Sequence, residues 1–308
     1  MNLPLYDIVS IGNPLYNQIS NTQTDIKKSE LAGGSLTVCL TADTLGISRL
    51  VMISSVEESE RNDIFSLIEN TQIEYFFLDP ETEIKKQDII KEGHCEGKIV
   101  GNRGRIRIRD IPEEFLLTKT MVLSPVLQEV DVDLTEWISS STDAFVLLDL
   151  QGFLRKHSHR GYSDVTWEPS DARRLLNSTD LVKANTVEAS LFTGEKDPFV
   201  AAETLVEWGA EISLITLGSD GCIIYDGNEF LEIPAFSTEV VCSLCAGDVF
   251  LGSFSTHLLE TDNLLSCGLF ATSVTSIILE KEESFPLAIK QSEIQRRVDM
   301  LQDQVKIL

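Results

Sequence analysis

The chain has 308 residues, 43% of them hydrophobic and 24% charged, enough to bury a large core without disulfide or metal staples. Acidic residues outnumber basic ones 49 to 25, giving a net charge of −24; so acidic a surface repels phosphate backbones and argues against nucleic acid as a partner. There is no apolar run of membrane-spanning length, and the N-terminal MNLPLYDIVSIGNP lacks the basic start of a signal peptide, so a cytoplasmic protein with reduced thiols and no membrane partner is expected.

Taken in chain order, short apolar runs alternate with helix-like stretches. Strands are predicted over 7–12, 49–53, 73–78, 120–124, 144–149, 180–183 and 212–217, with helices over segments such as 35–45 and 199–208. Several strands are unbroken apolar runs, the pattern of strands covered on both faces. Repeated strand–helix–strand order predicts an α/β fold with a doubly wound, mostly parallel sheet. Two stretches interrupt the rhythm. Residues 14–30 are polar without helical period, and 81–110 contains the glycine-rich KEGHCEGKIVGNRGR followed by RIRIR. There Arg103, Arg105, Arg107 and Arg109 alternate with smaller or apolar residues such as Ile106 and Ile108, which predicts a strand with one basic face. Both insertions suit the carboxyl edge of the sheet, where open α/β folds bind ligands, and predict a small β lid on one domain spanning 1–308. Beyond them, 223–225, 230–233 and 239–241 read as short strands, and 249–259 and 266–279 as helices.

The chemistry concentrates in 238–259, TEVVCSLCAGDVFLGSFSTHLL. A small-residue turn, Ala246-Gly247, joins strand to helix; it lets backbone approach a ligand, and the N–H groups of a helix start hold an anion. Asp248 stands in the first helical turn beside that anion site. A carboxylate there either complements the helix dipole or moves a proton, and spacing alone does not separate the two.

CAGDVFLGSF resembles the signature of the ribokinase-like (PfkB) carbohydrate kinases, D-T-x-G-A-G-D before an apolar helix. The resemblance implies that Asp248 takes the proton from the acceptor hydroxyl, and that the amides around Cys245, Ala246 and Gly247 form the hole for the transferring phosphate. Cys242 stands where the pattern has its first Asp, which puts cation activation in question, and Cys245 where it has its first Gly, a change that keeps the amide. Leu31-Ala32-Gly33-Gly34 resembles the family's double-glycine motif, one residue short of the usual spacing; it implies Gly33 and Gly34 against the substrate. Asn185-Thr186-Val187-Glu188 matches N-x-x-E, which in the family organises Mg²⁺ and phosphate largely through water, with no direct metal ligand implied. TLGSDG at 216–221 matches the nucleotide loop and implies Thr216, Gly218 and Gly221 at ATP. Each motif also has a plain structural reading as a helix-entry turn, a capping box or a hairpin; what favours chemistry is four of them in family order.

Asp149-Leu150-Gln151-Gly152-Phe153-Leu154-Arg155 resembles the D-x-Q-G-x-x-R segment of archaeal and inositol-kinase-like members. It implies Asp149 and Arg155 near the acceptor, Arg155 alternatively in a surface ion pair, while Asn13 and Asn17 offer amides to hydroxyl groups. The implied protein is an ATP- and Mg²⁺-dependent kinase that transfers the γ-phosphate to a hydroxyl of a small sugar or polyol. A nucleoside kinase, or a ligand-binding regulator that has lost turnover, is the alternative, and a homodimer is compatible with the sequence. Four histidines form no H-E-x-x-H pair, and no second C-x-x-C accompanies Cys242 and Cys245, so neither metallohydrolase nor zinc site is supported. In a reducing cytosol those two cysteines are small side chains; oxidised, they would distort the anion hole.

Overall fold

The computed structural model describes residues 3–21, 27–79, 86–92, 95–101, 104–154, 167–241, 243, 245–281, 285 and 288–308. In chain order the elements are β1 (Tyr6–Ile11), β2 (Leu15–Asn21), β3 (Lys27–Ala32), α1 (Gly34–Thr44), β4 (Leu50–Ser55), α2 (Glu58–Ile68), β5 (Ile73–Leu78), β6 (Lys86–Glu92), β7 (Cys95–Gly101), β8 (Thr118–Leu123), α3 (Val132–Ser141), β9 (Phe145–Asp149) and α4 (Gln151–Leu154). There follow α5 (Pro169–Leu176), β10 (Leu181–Asn185), α6 (Thr186–Thr193), α7 (Pro198–Glu207), β11 (Ile212–Thr216), β12 (Cys222–Tyr225), β13 (Phe230–Ile233), α8 (Ala246–Leu258), α9 (Leu264–Leu279), α10 (Gln291–Gln302) and β14 (Lys306–Ile307).

Ten strands form one sheet in the order β14-β13-β12-β11-β10-β9-β8-β1-β4-β5. From β11 to β5 neighbouring strands are parallel, and β12, β13 and β14 extend that sheet as an antiparallel edge. Side chains alternate between faces with period two, so each strand feeds two cores. Val9, Ile11, Val51, Ile53, Met121, Leu123, Val146, Leu148, Val182 and Ala184 pack under α3, α5, α6 and α7. Their neighbours Ile8, Leu50, Met52, Val122, Leu147 and Leu181 pack under α1, α2, α8 and α9. Cover on both faces is the physical reason the strands read as unbroken apolar runs. Among the described residues no helix is long and apolar enough to cross a membrane.

The two interrupting stretches come together as a second, four-stranded sheet, β3-β2-β7-β6, with antiparallel neighbours. The RIRIR expectation fails: residues 104–107 lie in no strand and Ile108–Asp110 is a single 3₁₀ turn. The backbone N–H of Ile106 donates to Glu129 O (2.9 Å) and that of Arg107 to the Asp110 carboxylate (3.1 Å), so local partners replace a sheet neighbour. The strand expected over 239–241 is also absent, and Val241 instead donates its N–H to Leu279 O at the end of α9 (2.9 Å).

In chain order β1 is followed into the sheet by β4 on one side, while β8 lies on its other, which makes the β1/β8 boundary the topological switch point where such sheets open a crevice. Backbones there are in direct contact. A Cβ on Gly34 would lie 2.5 Å from Ser124 O and 2.8 Å from Val126 Cγ2, and its φ of +48° lies in the left-handed region. Gly46, at the end of the same helix, shares the positive φ but has nothing within 4 Å of a Cβ. Gly34→Ala should therefore cost about 3 kcal/mol or more, combining overpacking with backbone strain, against about 1–2 kcal/mol for Gly46→Ala. Urea denaturation of the two variants checks this; equal losses would remove the packing role given to Gly34.

Candidate active site

Most of the motifs singled out in the sequence lie at or just beyond a carboxyl end of a parallel strand or at the N-terminus of α8, while the double glycine joins β3 of the small sheet to α1. Asn13 follows β1, Asp149 closes β9, Asn185 closes β10 and caps α6, and Thr216 closes β11. Alternation along the strands decides where the charged ones point. Leu147 and Leu181 face the α8 side of the sheet, so Asp149 and Lys183, two residues on in each strand, face it too. They are also direct register partners across β9 and β10.

The result is a buried ion pair beneath the start of α8. Lys183 Nζ lies 2.8 Å from Asp149 Oδ2, the two side chains being 4% and 0% exposed. The other Asp149 oxygen accepts the backbone N–H of Gln151 (3.0 Å), and the Gln151 side-chain amide donates to Asp248 Oδ1 (2.9 Å). Burial by itself pushes the Lys183 ammonium toward neutrality, but the carboxylates of Asp149, Glu188 and Asp248 outweigh it and hold its pKa above the ordinary lysine range. A Cβ on Gly247 would stand 2.7 Å from Lys183 Nζ, so a larger residue in the turn would displace the ammonium beneath it.

The turn itself departs from ordinary helix entry. Cys245 caps α8 with φ 67° and ψ 7°, a left-handed conformation that costs a side-chain-bearing residue about 1–2 kcal/mol. The backbone N–H of Ala246 donates to Ser243 O (3.1 Å), which removes Ala246 from the expected amide set in this conformation. Asp248, in the first turn, is 6% exposed.

The remaining expected residues divide. Asn185 and Glu188 form a reciprocal capping box: the Glu188 N–H donates to Asn185 Oδ1 and the Asn185 N–H to Glu188 Oε2, both at 2.9 Å. Glu188, 1% exposed, also faces Lys183. Thr216 reaches back to Ala184 O (3.5 Å); Gly218 opens onto free space, whereas a Cβ on Gly221 would meet Ile233 O at 2.0 Å, a packing demand of β13. Gly33 donates its N–H to Thr37 Oγ1 (2.9 Å). Two expectations about the acceptor are revised. The Asn13 amide is engaged by backbone, Oδ1 accepting from Ser55 N (2.8 Å) and Nδ2 donating to Gly104 O (3.2 Å), so it fastens the crevice wall. Both Asp149 oxygens are engaged by Lys183 and Gln151, so it supports the site from below. Asn17 lies in β2, its backbone in register with Glu30 of β3 and Ile99 of β7, and Arg155 and Cys242 lie outside the described residues.

Three residues were not singled out from the sequence: Lys183, Gln151 and Glu129. Lys183 carried a signal, a charge inside an apolar run predicted to be covered on both faces. Gln151 stood within a quoted motif without a role. Glu129, 1% exposed, accepts the N–H groups of Val126 (2.8 Å) and Leu127 (2.7 Å) in its own turn and of the distant Asn13 (2.8 Å).

Parallel strand ends, a helix N-terminus and a buried carboxylate beside it meet where open α/β sheets hold anionic ligands. The pfkB family carbohydrate kinase model matches residues 17–287, and the chain belongs to that family; it is a phosphotransferase with a hydroxyl group as acceptor. A cytidine kinase of Thermococcus kodakarensis is 31% identical over 146 residues, 47% of this chain and about half (49%) of the length of that protein. An uncharacterized sugar kinase of Archaeoglobus fulgidus is 25% identical over 239 residues, 70% of this chain and 92% of that one. In fold, the chain is similar to a pyrophosphate-dependent kinase of the ribokinase family complexed with a pyrophosphate analog and myo-inositol, with a TM-score of 0.73 at 20% identity, covering 94% of this chain and 99% of the other.

Proposed function

We propose that the protein transfers the γ-phosphate of ATP to a hydroxyl group of a sugar or polyol, with Asp248 as general base. The observation that carries this is the placement of Asp248: a buried carboxylate in the first turn of α8, hydrogen-bonded by Gln151, one residue beyond the glycine that overlies Lys183. In the transfer the acceptor hydroxyl loses its proton to Asp248, its oxygen bonds to the γ-phosphorus, and the bond from that phosphorus to the bridging oxygen of ADP breaks. Charge grows on the phosphoryl oxygens as the loose transition state forms. The amides at the α8 N-terminus supply fixed positive potential where that charge appears, and the ammonium beneath offsets the carboxylates gathered there.

The residues present fit a nucleotide and its metal. Gly218 leaves open space at the end of β11 for the nucleotide phosphates. Asn185 and Glu188, on the likeness to the family's N-x-x-E motif, would meet Mg²⁺ largely through water. When bound, Mg²⁺ supplies charge neutralisation on the polyphosphate. A polyhydroxylated acceptor is supported by the D-x-Q-G-x-x-R likeness and by the inositol complex of the structural relative. The β3-β2-β7-β6 sheet, whose strands leave the main sheet beside Asn13 and Gly33, is read as a lid over that acceptor.

General-base assistance contributes about 10²–10⁴-fold. Asp248→Asn should lower kcat by that order with ATP affinity little changed; a folded variant with wild-type turnover would falsify the assignment. For the lid, deletion of residues 92–101 should raise the acceptor KM and increase acceptor-independent ATP hydrolysis, because water is then admitted as a competing acceptor. Steady-state kinetics with and without acceptor check this, and no change in either quantity would remove the lid from the mechanism.

A further inference from the structure

The Gln151–Asp248 hydrogen bond is the end of a continuous chain of polar contacts. Lys183 Nζ bonds Asp149 Oδ2 (2.8 Å), Asp149 Oδ1 bonds Gln151 N (3.0 Å), and Gln151 Nε2 bonds Asp248 Oδ1 (2.9 Å). The backbone around Gln151 has little freedom. Leu150 N donates to Lys183 O (3.0 Å), Phe153 N to Leu150 O (3.0 Å), and a Cβ on Gly152 would lie 2.3 Å from Pro125 O. Gln151 is itself buried. An amide held this firmly fixes the direction of the carboxylate it bonds, and a donor to a carboxylate favours the ionised form that a base needs.

We propose that Gln151 is a positioning residue for phosphoryl transfer, holding the Asp248 carboxylate toward the acceptor hydroxyl, and that the Asp149–Lys183 pair holds Gln151 in place. This rests on the reading of Asp248 as general base. Charged groups about Asp248 include Lys183 of β10, with Asp149 of β9 and Glu188 of α6 about the same ammonium; Cys245 is a titratable neighbour on its own turn. At 151 a glutamate replaces the donor with a carboxylate, and a methionine keeps the volume without a donor.

Two variants test this, assayed on the full chain with acceptor and ATP, with Asp248→Asn in parallel. In Gln151→Met, kcat should fall about tenfold or more from lost alignment, with the KM of each substrate within about twofold of wild type. In Gln151→Glu, two adjacent carboxylates share a proton, and the acid limb of the kcat/KM profile should move up by about one pH unit or more. A residue that only supports the fold would lower the melting temperature of both variants and leave kcat per folded molecule and the acid limb where they are in wild type; that result overturns the proposal. If Gln151→Glu does not fold, the kcat-against-KM split of Gln151→Met decides alone. An active Asp248→Asn would sink the general-base reading itself, whereas an inactive Asp248→Asn beside unaltered Gln151 variants overturns the positioning role only.

Discussion

A lysine ammonium buried under a helix N-terminus is the constraint on which this site depends. Removing an ammonium and a carboxylate from water costs several kcal/mol for each ion, and their attraction offsets this only with good geometry. Here the geometry comes from the sheet: Asp149 and Lys183 are register partners on adjacent parallel strands and face the same side, which sets their 2.8 Å contact. Two further carboxylates, Glu188 and Asp248, draw on the same positive charge. Three acidic side chains thus converge within a low-dielectric region around one cation. Without it three like charges would stand together with nothing to offset their repulsion. Gly247 completes the arrangement, since the cation occupies the space a Cβ would need.

The rest of the crevice is built from backbone contacts. Gly34 packs on Ser124 O, Gly152 on Pro125 O, and the Glu129 carboxylate gathers the N–H groups of Asn13, Val126 and Leu127. These contacts lie where β1 and β8 diverge, so the strands that lead into the smaller sheet start from a rigid base. Rigidity there matters because an angstrom of misplacement at a transfer site costs about 10²-fold in rate. Asn13 belongs to this framework. Its amide joins the end of β4 to Gly104, on the segment returning from the smaller sheet.

What could be read from the sequence followed from local pattern. The parallel strands were legible because apolar runs record cover on both faces, and strand 73–78 is found with its expected ends. Asp248 was legible because its turn and helix are contiguous in the chain. The basic strand at 103–109 was misread because alternation is also compatible with a buried isoleucine in an irregular segment: Ile106 is 2% exposed there while Arg105 and Arg109 face solvent. Asp149 and Asn13 were assigned to the acceptor because their positions at strand ends are visible in sequence and their partners are not. Lys183, Gln151 and Glu129 each have a partner 34, 97 or 116 positions away, distances over which local pattern says nothing.

A buried pair of this kind is seldom kept for stability alone, because apolar replacements of similar volume are often neutral or better. The double variant Asp149→Leu/Lys183→Met therefore separates chemistry from folding. By urea denaturation it should remain folded but less stable than wild type, because Glu188 and Asp248 keep their charges without the cation, while kcat per folded molecule should fall about 10²-fold or more as the alignment and electrostatic support of Asp248 are lost. Wild-type kcat in the folded double variant would contradict the role given to the buried ammonium.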